Sequence, residues 1–280
     1  MKKETVKTLP PQLIIWGGLG LFLVVILFPF YWMVISSTKT FGELFATPPV
    51  LFPREFSLNA YYEVLFTHKF LRYFINSFSV SFMTVALNVP LAVLGAYALS
   101  RLSFRGKRLL SQSVLLIYIL PPVLLVIPLF AILSRSGLRD SLSGLILTYL
   151  AQTLPVSLYM LGNYFRALPP DIEEAGLMDG CTRIQVIRKI TLPLSMPVIT
   201  SVALYTFMIA WNEFLFAYIF LDSPEKFTLS KGLFHLFGSY HTSWDMVMAA
   251  SVIMTLPVIA IFLIFERYLV SGLITGGVKG

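Results

Sequence analysis

Leu13–Ile35 reads LIIWGGLGLFLVVILFPFYWMVI, 23 residues without a charge. About 20 apolar residues are enough for a helix to cross the hydrocarbon of a bilayer. The run therefore predicts a transmembrane helix. Lys2, Lys3 and Lys7 precede it, as basic residues precede a signal sequence. The run is much longer than the roughly 7–15 residues of a cleavable signal, so an uncleaved anchor is expected. Five more stretches lack Lys, Arg, Asp and Glu: Tyr73–Ser100, Leu109–Ser134, Ser141–Phe165, Ile190–Leu221 (interrupted by Glu213) and Met246–Phe265. Six spans follow, all long enough to be helices. The period-two alternation of an outer-membrane barrel is absent.

Composition agrees with this reading. Of 280 residues, 57% are hydrophobic and 12% charged, against about 25% charged in globular chains. A soluble fold of this size could not hide that much apolar surface. Cys181 is the one cysteine, so no internal disulfide is possible. The net charge of +7 is carried between apolar runs. That pattern points to membrane orientation rather than nucleic-acid binding.

Sidedness follows from the cations near the helix ends. With the N-terminus inside, the inner segments hold 13 Lys and Arg and the outer loops 8. The turn Arg101–Arg108 alone carries Arg101, Arg105, Lys107 and Arg108. Six spans return the C-terminus to the inside.

The spans are not plain anchors. Pro29, Pro90, Pro121, Pro122, Pro128, Pro155 and Pro257 each remove a backbone donor and tend to kink a helix. Gly17, Gly18, Gly20, Gly95, Ala96 and Gly162 permit close helix approach. Asn76, Ser77, Ser79, Ser81, Thr84 and Asn88 give the second span a polar side. It serves either interhelical hydrogen bonds or a water-filled path.

Several chemistries lack their motifs. No G-x-x-x-x-G-K-[ST] loop cradles phosphate, no H-E-x-x-H binds zinc, and no G-x-S-x-G elbow is present. His68, His235 and His241 form no ligand cluster. A carrier driven by protons or sodium usually embeds several acids, whereas Glu213 is alone here. The energy for any transport is expected from a partner.

The longest inner loop, 166–197, reads as two short helices. Pro169 and Pro170 stop the fourth span. Asp171 and Glu174 have capping-box spacing, and Asp171, Glu173 and Glu174 suit a helix N-terminus. Ile172, Ala175 and Met178 share a face. Gly180 is a natural terminator. Thr182 and Gln185 repeat the cap signal, Arg188 and Lys189 lie near the second helix's end, and Pro193 closes it. A short helix with an acidic start and a small apolar face is either a plain connection or a docking knob for a soluble partner.

Glu174-Ala175-Gly176, three residues, Gly180, nine residues, Ile190-Thr191-Leu192-Pro193 resembles the EAA motif, the mark of the membrane subunits of binding-protein-dependent ABC importers. The resemblance continues in the basic turn Arg101–Arg108, in Ala210-Trp211-Asn212-Glu213-Phe214, and in the ending Gly272–Gly280, which is similar to the tail of the maltose-type second permease subunit. Gly176 departs from the motif, which usually has a second alanine there.

The resemblance implies an all-α integral membrane protein with six transmembrane helices of the ABC importer permease type and a cytoplasmic EAA coupling loop. It implies the following partners: a second homologous permease subunit, two copies of a cytoplasmic ABC ATPase, an extracytoplasmic sugar-binding protein, a sugar and the lipid bilayer. ATP and Mg would act on the ATPase subunits, with no cofactor and no catalysis in this chain. Asp171, Glu173, Glu174, Ala175, Gly176, Met178, Asp179 and Gly180 would couple to the ATPase. Trp211, Asn212, Glu213 and Asn76 are candidates for the translocation path, with a structural hydrogen bond as the other reading of Glu213. In the aromatic outer loop, Phe234, His235, Phe237 and Gly238 would contact the binding protein, or line an interfacial belt.

The expected organisation is a cytoplasmic tail (1–12), the first helix (13–37), an extracytoplasmic loop (38–72) and a permease core (73–270). The core contains the coupling loop (166–197) and an outer loop (222–245), and a glycine-rich cytoplasmic tail (271–280) follows it. The expected location is a bacterial-type plasma membrane with both termini inside. A receptor or scaffold that recruits a cytoplasmic partner, and a secondary carrier, are the other functional classes open at this point.

Overall fold

The computed structural model describes residues 11–238 and 244–277. Every element assigned among them is helical. The chain divides into two compact units. The smaller comprises the described residues up to His68 together with Leu236–Ile253, and the larger comprises Lys69–His235 with Met254 onward.

In the smaller unit, α1 (Pro11–Ser36) is apolar all round and exposes Leu21, Phe22, Val24 and Leu27. A helix without a polar face belongs in hydrocarbon. Beyond it, Lys39 donates to the Val50 carbonyl at 2.5 Å and lies 4.3 Å from the Trp32 ring centroid.

The larger unit contains α2 (Phe70–Arg101) and other helices. These are α3 (Lys107–Ile119), α4 (Val126–Arg135), α5 (Leu142–Ala167), α6 (Pro170–Met178), α7 (Met196–Asn212), α8 (Leu215–Phe220) and α9, whose residues Leu229–Phe237 extend to the unit boundary. The final helix, α10 (Trp244–Gly277), runs from one unit into the other. Among the described residues, four helices are individually long and apolar enough to span a membrane. The other two expected spans are bent pairs: Lys107–Ile119 with Pro122–Arg135 at 106°, and Arg183–Leu194 with Met196–Asn212 at 81°.

The prolines explain where bending occurs. Pro29, Pro90, Pro155 and Pro257 each lie inside an unbroken helix. One proline removes one ladder bond, which packing tolerates. Pro121 and Pro122 are consecutive, and a residue before proline is driven out of the α region. Leu120 and Pro121 accordingly take ψ of 129° and 132°, and the helix turns there. Helix α7 begins at Met196, six residues after the charge-free run opens at Ile190. Pro193 does not end the second inner helix, which instead widens into a π turn at Ile187–Thr191 and closes at Ser195. The backbone also stays helical to Gly277, past the point where a glycine-rich tail was expected. Interior glycine costs only about 1 kcal/mol per residue. Residues 1–10 of the N-terminal tail, 239–243 of the outer loop and the last three residues lie outside the described range.

The α2–α5–α7 core contains Ala92, Val93, Ala96, Tyr97, Leu161, Phe165 and Val202. Gly95 allows the closest approach, since a Cβ there would stand 2.6 Å from Leu158 Cδ2. Gly162 is different: its nearest such neighbour is Arg166 Nη1 at 3.5 Å, so no packed helix forbids a side chain there.

The polar side of α2 joins helices. Asn88 Nδ2 donates to Ser157 Oγ on α5 (2.7 Å) and Thr206 Oγ1 on α7 (2.8 Å). Ser77 Oγ accepts from the Leu229 N–H at 2.7 Å. Asn88→Val should cost about 1 kcal/mol, at about 0.6 kcal/mol per interhelical bond. Thermal unfolding in detergent measures this, and an unchanged midpoint would contradict the tie.

Candidate functional site

Helix α6 begins at Pro170, where a fixed φ and a missing N–H suit the first helical position. Asp171 does not cap it with Glu174 as their spacing suggested. Pro169 holds the cap position, and no side chain caps the helix. Asp171 and Glu173 lie in the first turn, where negative charge is favoured. At the other end the Gly180 N–H donates to Leu177 and the Cys181 N–H to Gly176, both at 3.1 Å. Gly180 has a φ of 83°, which glycine adopts without steric cost.

The helix has two distinct sides. Asp171, Glu174, Ala175 and Asp179 are exposed, together with Ile172 at 44% and Met178 at 87%. Glu173 and Gly176 are buried. Glu173 Oε2 lies 3.2 Å from Arg101 Nε and accepts from the Tyr97 hydroxyl at 3.2 Å. Its Oε1 accepts from Thr191 Oγ1 at 3.2 Å. Arg101 also donates to the Leu168 carbonyl at 2.9 Å. One buried carboxylate thus ties α6 to the end of α2 and to the following helix. Gly176 faces Ile190, whose Cδ1 would lie 2.5 Å from an added Cβ. The departure from alanine is therefore a packing feature. The next helix starts with a capping box: Thr182 N–H donates to Gln185 Oε1 (2.8 Å) and Gln185 N–H to Thr182 Oγ1 (3.4 Å).

A second group of contacts lies at the opposite end of α2. Asn76 Nδ2 donates to the carbonyls of Glu225 (2.9 Å) and Phe227 (3.0 Å). Trp211 is completely buried, with its indole N–H on the Met254 carbonyl at 3.0 Å and its ring stacked on Phe207. Asn76 and Trp211 therefore stand inside this chain's own packing. Asn212 is exposed, its Nδ2 turned back onto the Met208 carbonyl at 2.9 Å.

Glu213 sits at the break between α7 and α8. Its carboxylate accepts from the Phe216 N–H (3.0 Å), the Ala217 N–H (3.2 Å) and the Tyr149 hydroxyl (2.9 Å). It fills the donor end of α8. Lys231, almost fully buried, fills the acceptor end by donating to the carbonyls of Tyr218, at 2.9 Å, and Leu221. Its Nζ also lies 4.5 Å from the Phe227 ring centroid. Burial pushes the Lys231 ammonium below its ordinary value, against the opposing pull of Asp222 and Asp140. Phe234 and His235 of the larger unit are exposed, as are Phe237 and Gly238 of the smaller.

Asp140 joins two outer loops. Its carboxylate accepts from the N–H groups of Asp222 (2.9 Å) and Ser223 (3.0 Å), from Ser223 Oγ (2.5 Å) and from Lys226 Nζ (2.9 Å). Burial alone would raise this carboxyl. The Ser223 hydroxyl, the Lys226 ammonium and the two N–H groups outweigh it and hold it far below the carboxylate range. Sequence reasoning missed Asp140, Arg101 and Lys231 as anchors, because each reads as an ordinary loop or orientation charge. A signal for Arg101 was present in retrospect: Glu173 required a cation once its helix packed back.

A family model described as "binding-protein-dependent transport system inner membrane component" matches residues 88–275. The chain is 44% identical over 265 residues to the inner membrane ABC transporter permease protein YcjP of Escherichia coli, covering 94% of this chain and 95% of that one. It is 37% identical to the trehalose/maltose transport system permease protein MalG of Thermococcus litoralis, over the full length of both. Its fold matches a chain of a bacterial ABC transporter that imports the acidic polysaccharide alginate, with TM-score 0.80, 22% identity and coverage of 94% and 99%.

Two predictions follow. Glu173→Ala leaves Arg101 without its carboxylate and should cost about 3–5 kcal/mol, whereas exposed Glu174→Ala should stay within about 0.5 kcal/mol. Equal losses in unfolding measurements would contradict the two-sided helix. Because the folded Asp140 carboxyl is depressed, its stabilisation is present above about pH 4, the unfolded value, and is lost as pH falls toward the folded value. Exchange protection of the Asp222 and Ser223 amides should fall in that direction, and Asp140→Asn should abolish the dependence.

Proposed function

This chain belongs to the family of inner membrane components of binding-protein-dependent transport systems, and from that membership we propose that it is a permease subunit of an ATP-driven importer of a di- or oligosaccharide such as an α-glucoside. A second permease completes the path, two cytoplasmic ATPases supply energy, and an extracytoplasmic protein delivers the sugar. The full-length likeness to a trehalose/maltose permease supports the substrate class.

The observation that carries the reading is the two-sided helix α6. Its outer side offers Ile172, Ala175 and Met178 to a partner, while Glu173 on its inner side is bound to Arg101 of α2. Movement imposed on the outer side is transmitted to a membrane helix through a buried ion pair. Closure of the ATPases on ATP then shifts the helices between inward- and outward-facing states, a rigid-body transition. The contacts at the ends of α2 go with the cation rule. Arg101 of the basic turn touches the α6 loop, and Asn76, at the other end of α2, holds residues 225–227. The first end is read as the cytoplasmic one by its cations.

The test is the assembled transporter in liposomes, with ATP hydrolysis followed across a panel of sugars with and without the binding protein. One sugar-loaded binding protein should stimulate hydrolysis severalfold, and a flat response from an intact complex would overturn sugar import. Met178→Asp should reduce ATPase retention about tenfold or more, as expected for a buried interface anchor. Unchanged retention would remove α6 from the interface.

A further inference from the structure

We propose that the cleft between α3 and α5 binds an anionic phospholipid, its headgroup held by Arg108 and Arg166 and one acyl chain laid along the groove below. The inference is independent of the transported solute.

The cleft has a charged mouth and an apolar extension. The mouth is open, about 630 Å³, and is lined by Lys107, Arg108 and Arg166 with the polar side chains of Ser111 and Gln112. It shares Leu99, Ser111 and Arg166 with a narrower groove floored by Val114, Leu158 and Tyr159. The rings of Tyr159 and Tyr118 stack with centroids 6.1 Å apart beside that groove. Lys107 to Val114 on α3, and Arg166 to Tyr159 on α5, each span seven residues, or about 10 Å of helix. Charge therefore gives way to hydrocarbon over the distance that separates a headgroup from the upper part of its acyl chain.

The charges are poorly explained by the fold itself. Lys107 and Arg108 stand in the first turn of α3, the end where the helix dipole disfavours cations. That turn has no acid, and no side chain caps it. The ion pairs among the described residues involve none of Lys107, Arg108 and Arg166. Lys107 is occupied in capping α2, donating to the Leu102 carbonyl at 2.9 Å. Arg166 meets the neutral Asn163 at 2.5 Å. Orientation in the membrane accounts for cations at this end of the helices. It does not call for a cleft with an apolar floor. Local choices that oppose the fold mark functional positions, and a basic pocket between helix ends on the cytoplasmic side is suited to an anionic headgroup. Gly162 keeps the groove open, because a side chain there would project toward Arg166 without meeting a packed helix.

The experiment uses the assembled transporter in nanodiscs of phosphatidylcholine containing phosphatidylglycerol, with retained lipid counted by native mass spectrometry. The wild type should retain phosphatidylglycerol over phosphatidylcholine. The double variant Arg108→Gln/Arg166→Gln, which leaves Lys107 in place, should bind it about thirtyfold more weakly, at about fivefold per cation. Gly162→Leu keeps every charge and fills the groove, and should also lose the lipid. Millimolar glycerol phosphate should not displace it. Equal retention in the wild type and both variants would overturn the proposal. So would displacement by glycerol phosphate, which would reveal a soluble-anion site, or loss in the charge variant with full retention in Gly162→Leu, which would reveal surface attraction without a seated chain.

Discussion

A backbone N–H or carbonyl left bare in hydrocarbon costs several kcal/mol, and several interruptions of these helices are arranged around that cost. Where the chain breaks at Glu213, that residue's own carboxylate satisfies the exposed N–H groups of α8, and Lys231 satisfies the carbonyls at its other end. Where the outer loop returns to α2, Asn76 and Ser77 take up its backbone groups. Where the inner loop turns, Thr182 and Gln185 close a capping box and Gly180 ends α6. A six-residue helix such as α8 has little stability of its own. Opposite charges at its two ends hold it as a defined piece.

The same constraint shapes the loop 166–197. A helix of nine residues, Pro170–Met178, has little stability of its own and must be held by the body of the protein. Glu173 does this with one carboxylate shared among Arg101, Tyr97 and Thr191. Gly176 lets the next helix approach closely on the same side. The outward side is thereby free to be small and apolar, with Met178 and Ile172 the most exposed large groups. Buried and exposed groups are thus divided between opposite sides of one short helix.

The loops after α4 and α8 are held by polar ties as well as apolar packing. Asp140 gathers the N–H groups of Asp222 and Ser223 with the Lys226 ammonium, so that the loop after α4 and the loop after α8 are fastened together. Loops that border water and membrane cannot rely on burial alone, and charge-assisted bonds are stronger than neutral ones.

The sequence by itself determined the class, and it set the expectations for the spans, their sidedness and the coupling loop. Each depends on one-dimensional quantities: the length of apolar runs, the distribution of cations, and the spacing of Glu174, Gly180 and Pro193. The terminator at Gly180 and the cap at Thr182 were readable for the same reason, since both are satisfied within four or five residues. Only the tertiary structure decided which side of α6 points outward. Glu173 and Glu174 are adjacent and chemically alike, and their fates differ because Arg101, more than 70 positions earlier, meets one of them. It also decided that Trp211 and Asn76 are buried ties and that Glu213 caps a helix. A carboxylate's role depends on the donors around it, and Tyr149, 64 positions away, is brought to Glu213 by helix packing. Local chemistry is legible where its partners are neighbours in the chain, and it becomes legible only in three dimensions where they are not.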